Sequence, residues 1–145
     1  MNPSIDLQAT PGHLIRRAQQ IAVALFAEQL GHFDITPVQF ATLNALLLSQ
    51  GIDQVSLAKH VAFDAATLGS VIGRLEAKGW VARVADPLDR RRKLLSLTCL
   101  GVQALKAVQA DVARVQEKIL APLTPSEQSQ LVRLLARLVQ GHQAA

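Results

Sequence analysis

Cysteine and aromatic residues are scarce in this sequence of 145 residues. The single cysteine, Cys99, excludes a disulfide framework within one chain. Aromatic residues make up only 3% of the sequence although 50% of it is hydrophobic, so leucine, valine and alanine must build the core, a composition that favours helices. The length suits a single domain, 1–145, which we expect to be mainly α with a small β component.

Long apolar runs, targeting features and enzyme motifs are missing as well. No stretch approaches the roughly 20 apolar residues of a membrane span, so no membrane partner is expected. MNPSIDLQATPGH at the N-terminus lacks a cationic start followed by an apolar block, so we expect no signal peptide there and a cytoplasmic location. No nucleophile elbow, phosphate loop or paired-carboxylate motif predicts an enzyme. The sequence predicts neither a cofactor nor a metal, because close metal-ligand spacing is absent among His13, His32, His60 and His142.

Positive charge, by contrast, is concentrated in one window. Residues 65–93 hold seven Lys or Arg residues against three acidic ones, a net charge of +4, and the rest of the chain is balanced. A solvated helix face usually mixes signs, so a local excess indicates a polyanionic partner. The cations are Arg74, Lys78, Arg83, Arg90, Arg91, Arg92 and Lys93.

Apolar spacing and capping residues predict six helices and one hairpin. Thr36, Pro37 and Gln39 form a capping-box pattern, Ser56 is expected near the N-cap of a short helix, and Asp64 is a good N-cap. The apolar residues that follow Asp64 recur at helical spacing and are expected to face the core: Leu68, Val71, Ile72 and Leu75. The predicted helices cover 13–30, 36–51, about 56–62, 64–78, 98–121 and 125–140.

The hairpin consists of WVARVA and KLLSLT, joined by a turn over 86–92. Two helices followed by a basic hairpin make a winged helix-turn-helix, here about 36–98. The helix 64–78 would enter the major groove of double-stranded DNA, and the hairpin tip would carry its cations into the minor groove, where negative potential concentrates.

The stretch RLEAKGWVARVADPLDRRRKLLSLTCLG, 74–101, resembles the signature of the multiple-antibiotic-resistance regulator (MarR) family. ITPVQF and LTPSEQ resemble the same family, as does the helical order over 13–140. The resemblance implies a homodimeric winged helix-turn-helix repressor that leaves DNA when it binds a small ligand, often a phenol or an aromatic acid.

The resemblance also assigns roles to residues of the DNA-binding surface. It implies that Asp89 braces the wing arginines while Arg91 enters the minor groove, and that Arg74 lies close to the DNA backbone. Thr67 and Ser70 lie on the exposed face of the same helix, but glycine replaces two residues that the family often carries, at Gly69 and Gly73. The expected DNA-binding residues are Thr67, Ser70, Arg74, Asp89, Arg90, Arg91, Arg92 and Lys93.

Apolar stripes on the terminal helices, about 13–30 and 98–140, predict a helical dimer interface, with packing inside one chain as the alternative. On the first helix, His13, Arg16, Arg17 and Gln20 form a polar stripe, which is either a solvated face or an anion-binding wall. An arginine buried there would need an anionic partner, such as the carboxylate of an effector.

HLIRRAQQ with ITPVQFATLNAL resembles family members that control catabolism of benzoate, hydroxybenzoate or nicotinate derivatives. The resemblance implies that the effector lies between the dimerisation helices and the winged domain. The expected ligand-binding residues are His13, Arg16, Arg17, Phe40, Leu43, His60 and Phe63. Two other functions stay open: a redox-responsive regulator that uses Cys99, and a winged-helix module that binds protein instead of DNA.

Overall fold

The computed structural model describes residues 3–61 and 63–143 and confirms a mainly helical winged-helix fold. Its described residues form six α-helices and one antiparallel sheet of three strands in the order β1–β3–β2. The elements are α1 (Pro11–Leu30), α2 (Pro37–Leu48), β1 (Ile52–Asp53), α3 (Gln54–Val61), α4 (Ala65–Ala77), β2 (Val81–Ala85), β3 (Lys93–Leu97), α5 (Cys99–Leu120) and α6 (Pro125–Gln143).

The N-terminal caps of α2 and α4 are the ones predicted from the sequence. Thr36 and Gln39 form the reciprocal capping box of α2, and the carboxylate of Asp64 accepts the backbone N–H of Thr67 at the start of α4. The expectation for α3 was wrong: Asp53 is its cap, because its Oδ2 atom accepts the N–H of Ser56 at 3.1 Å. The helix therefore begins two residues before Ser56.

The chain divides into two compact units, and the divisions fall within α1 and α5. Residues 26–112 form what we call the winged-helix unit, and residues 3–25 and 113–143 form the terminal unit. The predicted limits of the winged helix-turn-helix, about 36 and 98, each lie one residue before a helix, α2 and α5 respectively.

Fully buried aliphatic side chains from α2, α3, α4 and β3 form the core of the winged-helix unit. Each contributes about 1.5–3 kcal/mol by leaving water. Val71 was expected in this core but is only half-buried, because it lies beside a cleft on the outer side of α4. The buried residues are Leu43, Leu46, Leu57, Leu68, Ile72, Leu75 and Leu95.

The hairpin is held at its base by a close backbone approach. The hydroxyl of Thr98 donates to the carbonyl of Gly79 at 2.6 Å, and its N–H donates to the carbonyl of Trp80 at 3.0 Å. Gly101 is buried against the same carbonyl, so a Cβ atom there would lie 2.1 Å from the oxygen of Trp80. The absence of a side chain at Gly101 therefore lets α5 begin against the turn between α4 and β2.

We expect Gly101→Ala to lower the free energy of unfolding by about 1–3 kcal/mol, since backbone atoms must move to admit the methyl group. Gly73→Ala is the matched control: it lies within α4 with open space around it, and alanine should stabilise the helix by about 1 kcal/mol. Urea denaturation of both variants measures the two changes. Equal effects at Gly101 and Gly73 would contradict the close packing.

Candidate nucleic-acid interface

Helix α4 exposes a short polar face. Thr67, Ser70 and Arg74 are exposed and spaced along one side, while Leu68 and Ile72 are buried on the other. The hydroxyl of Thr67 donates to Oδ2 of Asp64 at 2.9 Å, so its proton is committed to the cap and its oxygen remains available as an acceptor.

A cleft of about 590 Å³ lies between this face of α4 and the beginning of α2. Its walls combine polar residues of α4 with Thr36 and Gln39, the capping-box residues of α2. The lining residues are Thr36, Val38, Gln39, Ala66, Thr67, Ser70, Val71 and Arg74.

The wing is the hairpin β2–β3 with its turn over 86–92. Val81 pairs with Leu97 and Ala85 with Lys93, so the turn begins where the ladder ends. The carboxylate of Asp89 accepts the backbone N–H of Arg91 at 3.1 Å, and its carbonyl accepts the N–H of Arg92 at 2.9 Å. Asp89 therefore holds the backbone of the turn, whereas the family resemblance implied a brace of the arginines.

Ion pairs divide the seven cations of the basic window into two groups. Three are paired: Lys78 with Asp34, Arg83 with Glu76, and Arg92 with both Asp53 and Asp86. The others make no ion pair with any residue that the structure describes, so their charge is available to a polyanion. These four unpaired cations are Arg74, Arg90, Arg91 and Lys93.

The wing and the starts of α3 and α4 line a second cleft, of about 240 Å³. Arg91 and Lys93 therefore lie beside Ala65, where α4 begins. The lining residues are Asp53, Gln54, Val55, Ala65, Arg91, Arg92 and Lys93.

Lys78 joins the end of α4 to the beginning of α2. Its ammonium donates to the carbonyl of Asp34 and to Oε1 of Gln39 at 3.0 Å, and it lies 4.6 Å from the centre of the Trp80 ring. Asp34 adopts the left-handed conformation with φ 52°, which turns its carbonyl within reach. The sequence identified Lys78 only as one of the cations of the basic window, and its spacing from Asp34 in the sequence does not predict the contact.

Asp53 was not among the predicted site residues, yet its carboxyl group has the most strongly shifted pKa among the residues that the structure describes. Hydrogen bonds from the hydroxyl and backbone N–H of Ser56, aided by the guanidinium of Arg92, lower the pKa of Asp53 from 3.8 to about 2. The N–H and hydroxyl of Thr67 likewise lower the pKa of Asp64. Both helix starts thus carry firmly ionised carboxylates.

The predicted ligand-binding residues fall in both units. In the terminal unit, Arg16 Nη2 donates to Nδ1 of His13 at 3.0 Å, and Arg17 Nη1 donates to Oε1 of Gln20 at 2.5 Å. Both arginines are exposed in this chain. Burial therefore does not force an anionic partner on either, and the polar stripe is a hydrogen-bonded surface.

The remaining predicted ligand-binding residues belong to the winged-helix unit and differ in exposure. Leu43 is fully buried in the core, Phe40 and Phe63 are half-buried, and His60 is exposed at the end of α3. Cys99 is exposed as the first residue of α5. Over 3–61 and 63–143, no cluster of three His, Cys, Asp or Glu residues could hold a metal, and none of the helices has the length and apolarity to cross a bilayer.

Comparisons with known proteins identify similar transcriptional regulators. Residues 33–92 match a family model described as MarR family. The repressor NicR of Pseudomonas putida is 31% identical over 144 residues, or 99% of this chain and 91% of that protein. PcaV of Streptomyces coelicolor, solved with its natural ligand, is 35% identical with TM-score 0.89 and covers 96% of this chain and 98% of its own. BpsR of Bordetella bronchiseptica, whose DNA binding is regulated by 6-hydroxynicotinic acid, is 32% identical with TM-score 0.88 and corresponding coverages of 95% and 98%.

The lowered pKa of Asp53 predicts sensitivity to acid. Because the folded-state pKa lies below that of the unfolded chain, the contribution of Asp53 to stability is complete above about pH 4 and is lost as the pH falls towards 2. The urea midpoint should decline less steeply over this interval in Asp53→Asn, whose amide oxygen can still accept from Ser56. Between about pH 5 and 7 the two profiles should run parallel. A variant as acid-sensitive as the wild type would exclude Asp53 as a source of the decline.

Proposed function

The chain belongs to the MarR family of transcriptional regulators, and from this premise we propose that it is a homodimeric repressor that leaves its operator on binding a small aromatic carboxylate. The four unpaired cations carry the DNA-binding part of the proposal. One lies on α4 and three lie on the wing, where Arg91 and Lys93 line the cleft at the beginning of α4. Cations without an acidic partner in the chain contribute most to phosphate binding, because they lose no internal ion pair when they bind it.

In this proposal the residues of α4 and the wing have different roles in DNA binding. Arg74, Arg90, Arg91 and Lys93 neutralise phosphates or enter the minor groove, and Asp89 fixes the turn that presents them. Thr67 and Ser70 are the polar side chains that α4 offers to base edges. Because this set is small and Thr67 is already bonded to Asp64, water and DNA shape contribute to operator choice.

Arg91→Ala should weaken binding to duplex DNA strongly and leave the fold intact, because Arg91 is exposed and makes no ion pair with a described residue. Two chains on one duplex lose two contacts, so the slope of log affinity against log salt should become shallower by roughly 2. Fluorescence anisotropy across a salt series measures both quantities. Lys106→Ala, an exposed cation of α5 outside the basic window, is the control. Equal slopes for the two variants would remove Arg91 from the interface.

The terminal unit supports the homodimer. Every described residue of α6 except Gln128 is exposed in the single chain, including a continuous apolar stripe. Side chains of this kind are stabilised by packing against a second helical surface, and a second copy offers the same surface by symmetry. The stripe consists of Leu131, Val132, Leu134, Leu135, Leu138 and Val139.

The effector class is supported by the relatives and by the polar stripe on α1. BpsR responds to 6-hydroxynicotinic acid, a compound with one carboxylate and an aromatic ring. Arg16 and Arg17 can exchange their present bonds to His13 and Gln20 for a bidentate pair with such a carboxylate. We propose His13, Arg16 and Arg17, all in the terminal unit, as the carboxylate-binding group. Phe40, His60 and Phe63 of the winged-helix unit stay a prediction from the sequence, and Leu43 is excluded because it is fully buried in the core.

An aromatic carboxylate should release the protein from DNA, and the stripe should be needed for the response. A tenfold preference for the DNA-free state at each of two sites supplies about 2.8 kcal/mol. The experiment titrates the complex with benzoate, hydroxybenzoates, nicotinate and hydroxynicotinates. Alanine at His13, Arg16 or Arg17 should leave DNA affinity unchanged and abolish release, whereas Arg114→Ala, an exposed arginine of α5 in the same unit, should respond as wild type. Release at wild-type concentrations in all the variants would reduce the stripe to a solvated face.

A further inference from the structure

Arg92 is the last residue of the wing turn, next to the start of β3, and it makes ion pairs that Arg91 does not. Its Nη2 atom lies 3.0 Å from Oδ1 of Asp53, the residue that caps α3, and its Nη1 atom lies 3.7 Å from Oδ2 of Asp86, just after β2. Its carbonyl accepts the N–H of Asp86 at 2.9 Å. One residue therefore closes the wing turn and joins it to the first helix of the helix-turn-helix pair.

The two carboxylates depend on this cation. The side chains of Asp53 and Asp86 are only 15% and 11% exposed, and a carboxylate withdrawn from water needs hydrogen bonds and a compensating charge. Ser56 and the N–H of Leu88 supply hydrogen bonds to Asp53 and Asp86 respectively. The only cation that forms an ion pair with either carboxylate, among the residues that the structure describes, is Arg92.

Arg91 provides the contrast. It lines the same cleft as Arg92 but makes no ion pair within the described part of the chain. A phosphate that approaches Arg91 finds a free cation. A phosphate that drew Arg92 away would leave Asp53 and Asp86 unneutralised next to the DNA, and repulsion between like charges would oppose binding.

We propose that Arg92 is a positioning residue of the wing: it holds the wing against α3 through Asp53 and Asp86, and it leaves phosphate neutralisation to Arg91 and the other unpaired cations. The inference rests on the proposed DNA-binding function and refines it. It separates two adjacent arginines that the sequence pattern treats as one charged run.

The first experiment needs no DNA. Thermal midpoints of Asp53→Asn, Arg92→Gln and the double variant form a cycle that measures the coupling between the two side chains. The proposal requires that the double variant lose less than the sum of the two single losses. Additive losses would mean that the ion pair does not hold in solution and would overturn the proposal, whatever the protein does with DNA.

The second experiment measures affinity for a duplex of about three helical turns across a salt series, with the wild type, Arg91→Gln, Arg92→Gln and Asp53→Asn. Arg91→Gln should make the slope shallower by about 1 per subunit. Arg92→Gln should weaken binding by up to about fivefold, the range of an exposed ion pair, and leave the slope unchanged. Asp53→Asn should weaken binding to a similar extent and leave the slope nearly unchanged, because Arg92 keeps its ion pair with Asp86.

The outcomes separate this inference from the function on which it rests. If Arg92→Gln makes the slope as shallow as Arg91→Gln does, Arg92 contacts phosphate and the positioning role is excluded. If Arg92→Gln changes neither affinity nor slope, the wing does not depend on Arg92 and the proposal is equally overturned. A wild-type protein that fails to bind any duplex refutes the DNA-binding function instead, and the thermal cycle still reports on the ion pair.

Discussion

Close backbone packing at the base of the wing is the constraint on which the winged-helix unit depends. The start of α5 lies so near the carbonyl of Trp80 that only glycine fits at position 101, and Thr98 bonds to both Gly79 and Trp80. Since β2 follows Trp80 and β3 precedes Thr98, the same contacts fix both ends of the hairpin. Uncharged residues of the MarR signature, Gly79, Trp80, Thr98 and Gly101, therefore hold the two strands of the hairpin together, and the cations of the wing lie between them in the sequence.

Local features of the fold were predictable from the sequence, and long-range ones were not. The caps at Thr36 and Asp64 are bonds between residues three apart, so a short pattern reveals them. The error at Ser56 also concerns residues only three apart. The hydroxyl of Ser56 donates to Asp53, and Asp53, not Ser56, caps the helix. The pair Asp53–Arg92 joins residues 39 apart, and spacing carries no information about it.

The candidate DNA-binding surface illustrates a second limit of sequence reasoning. Composition locates a net charge of +4 in residues 65–93. It cannot show that Lys78, Arg83 and Arg92 already face carboxylates, two of which, Asp34 and Asp53, lie outside the window. Net charge therefore locates the basic segment but does not show which of its side chains already have an acidic partner within the chain.

The glycines of α4 separate the folding of this protein from its choice of operator. An added Cβ atom would meet nothing within 4 Å at Gly73 and only the end of the Gln54 side chain, at 3.6 Å, at Gly69. Packing does not require glycine at either place, so larger side chains can be introduced on or beside the exposed face of α4 while the core stays as it is. At such positions a regulator can acquire a new binding preference by single substitutions, and the protein with each substitution still folds. They are therefore suitable positions to randomise when variants that bind altered operators are selected in the laboratory.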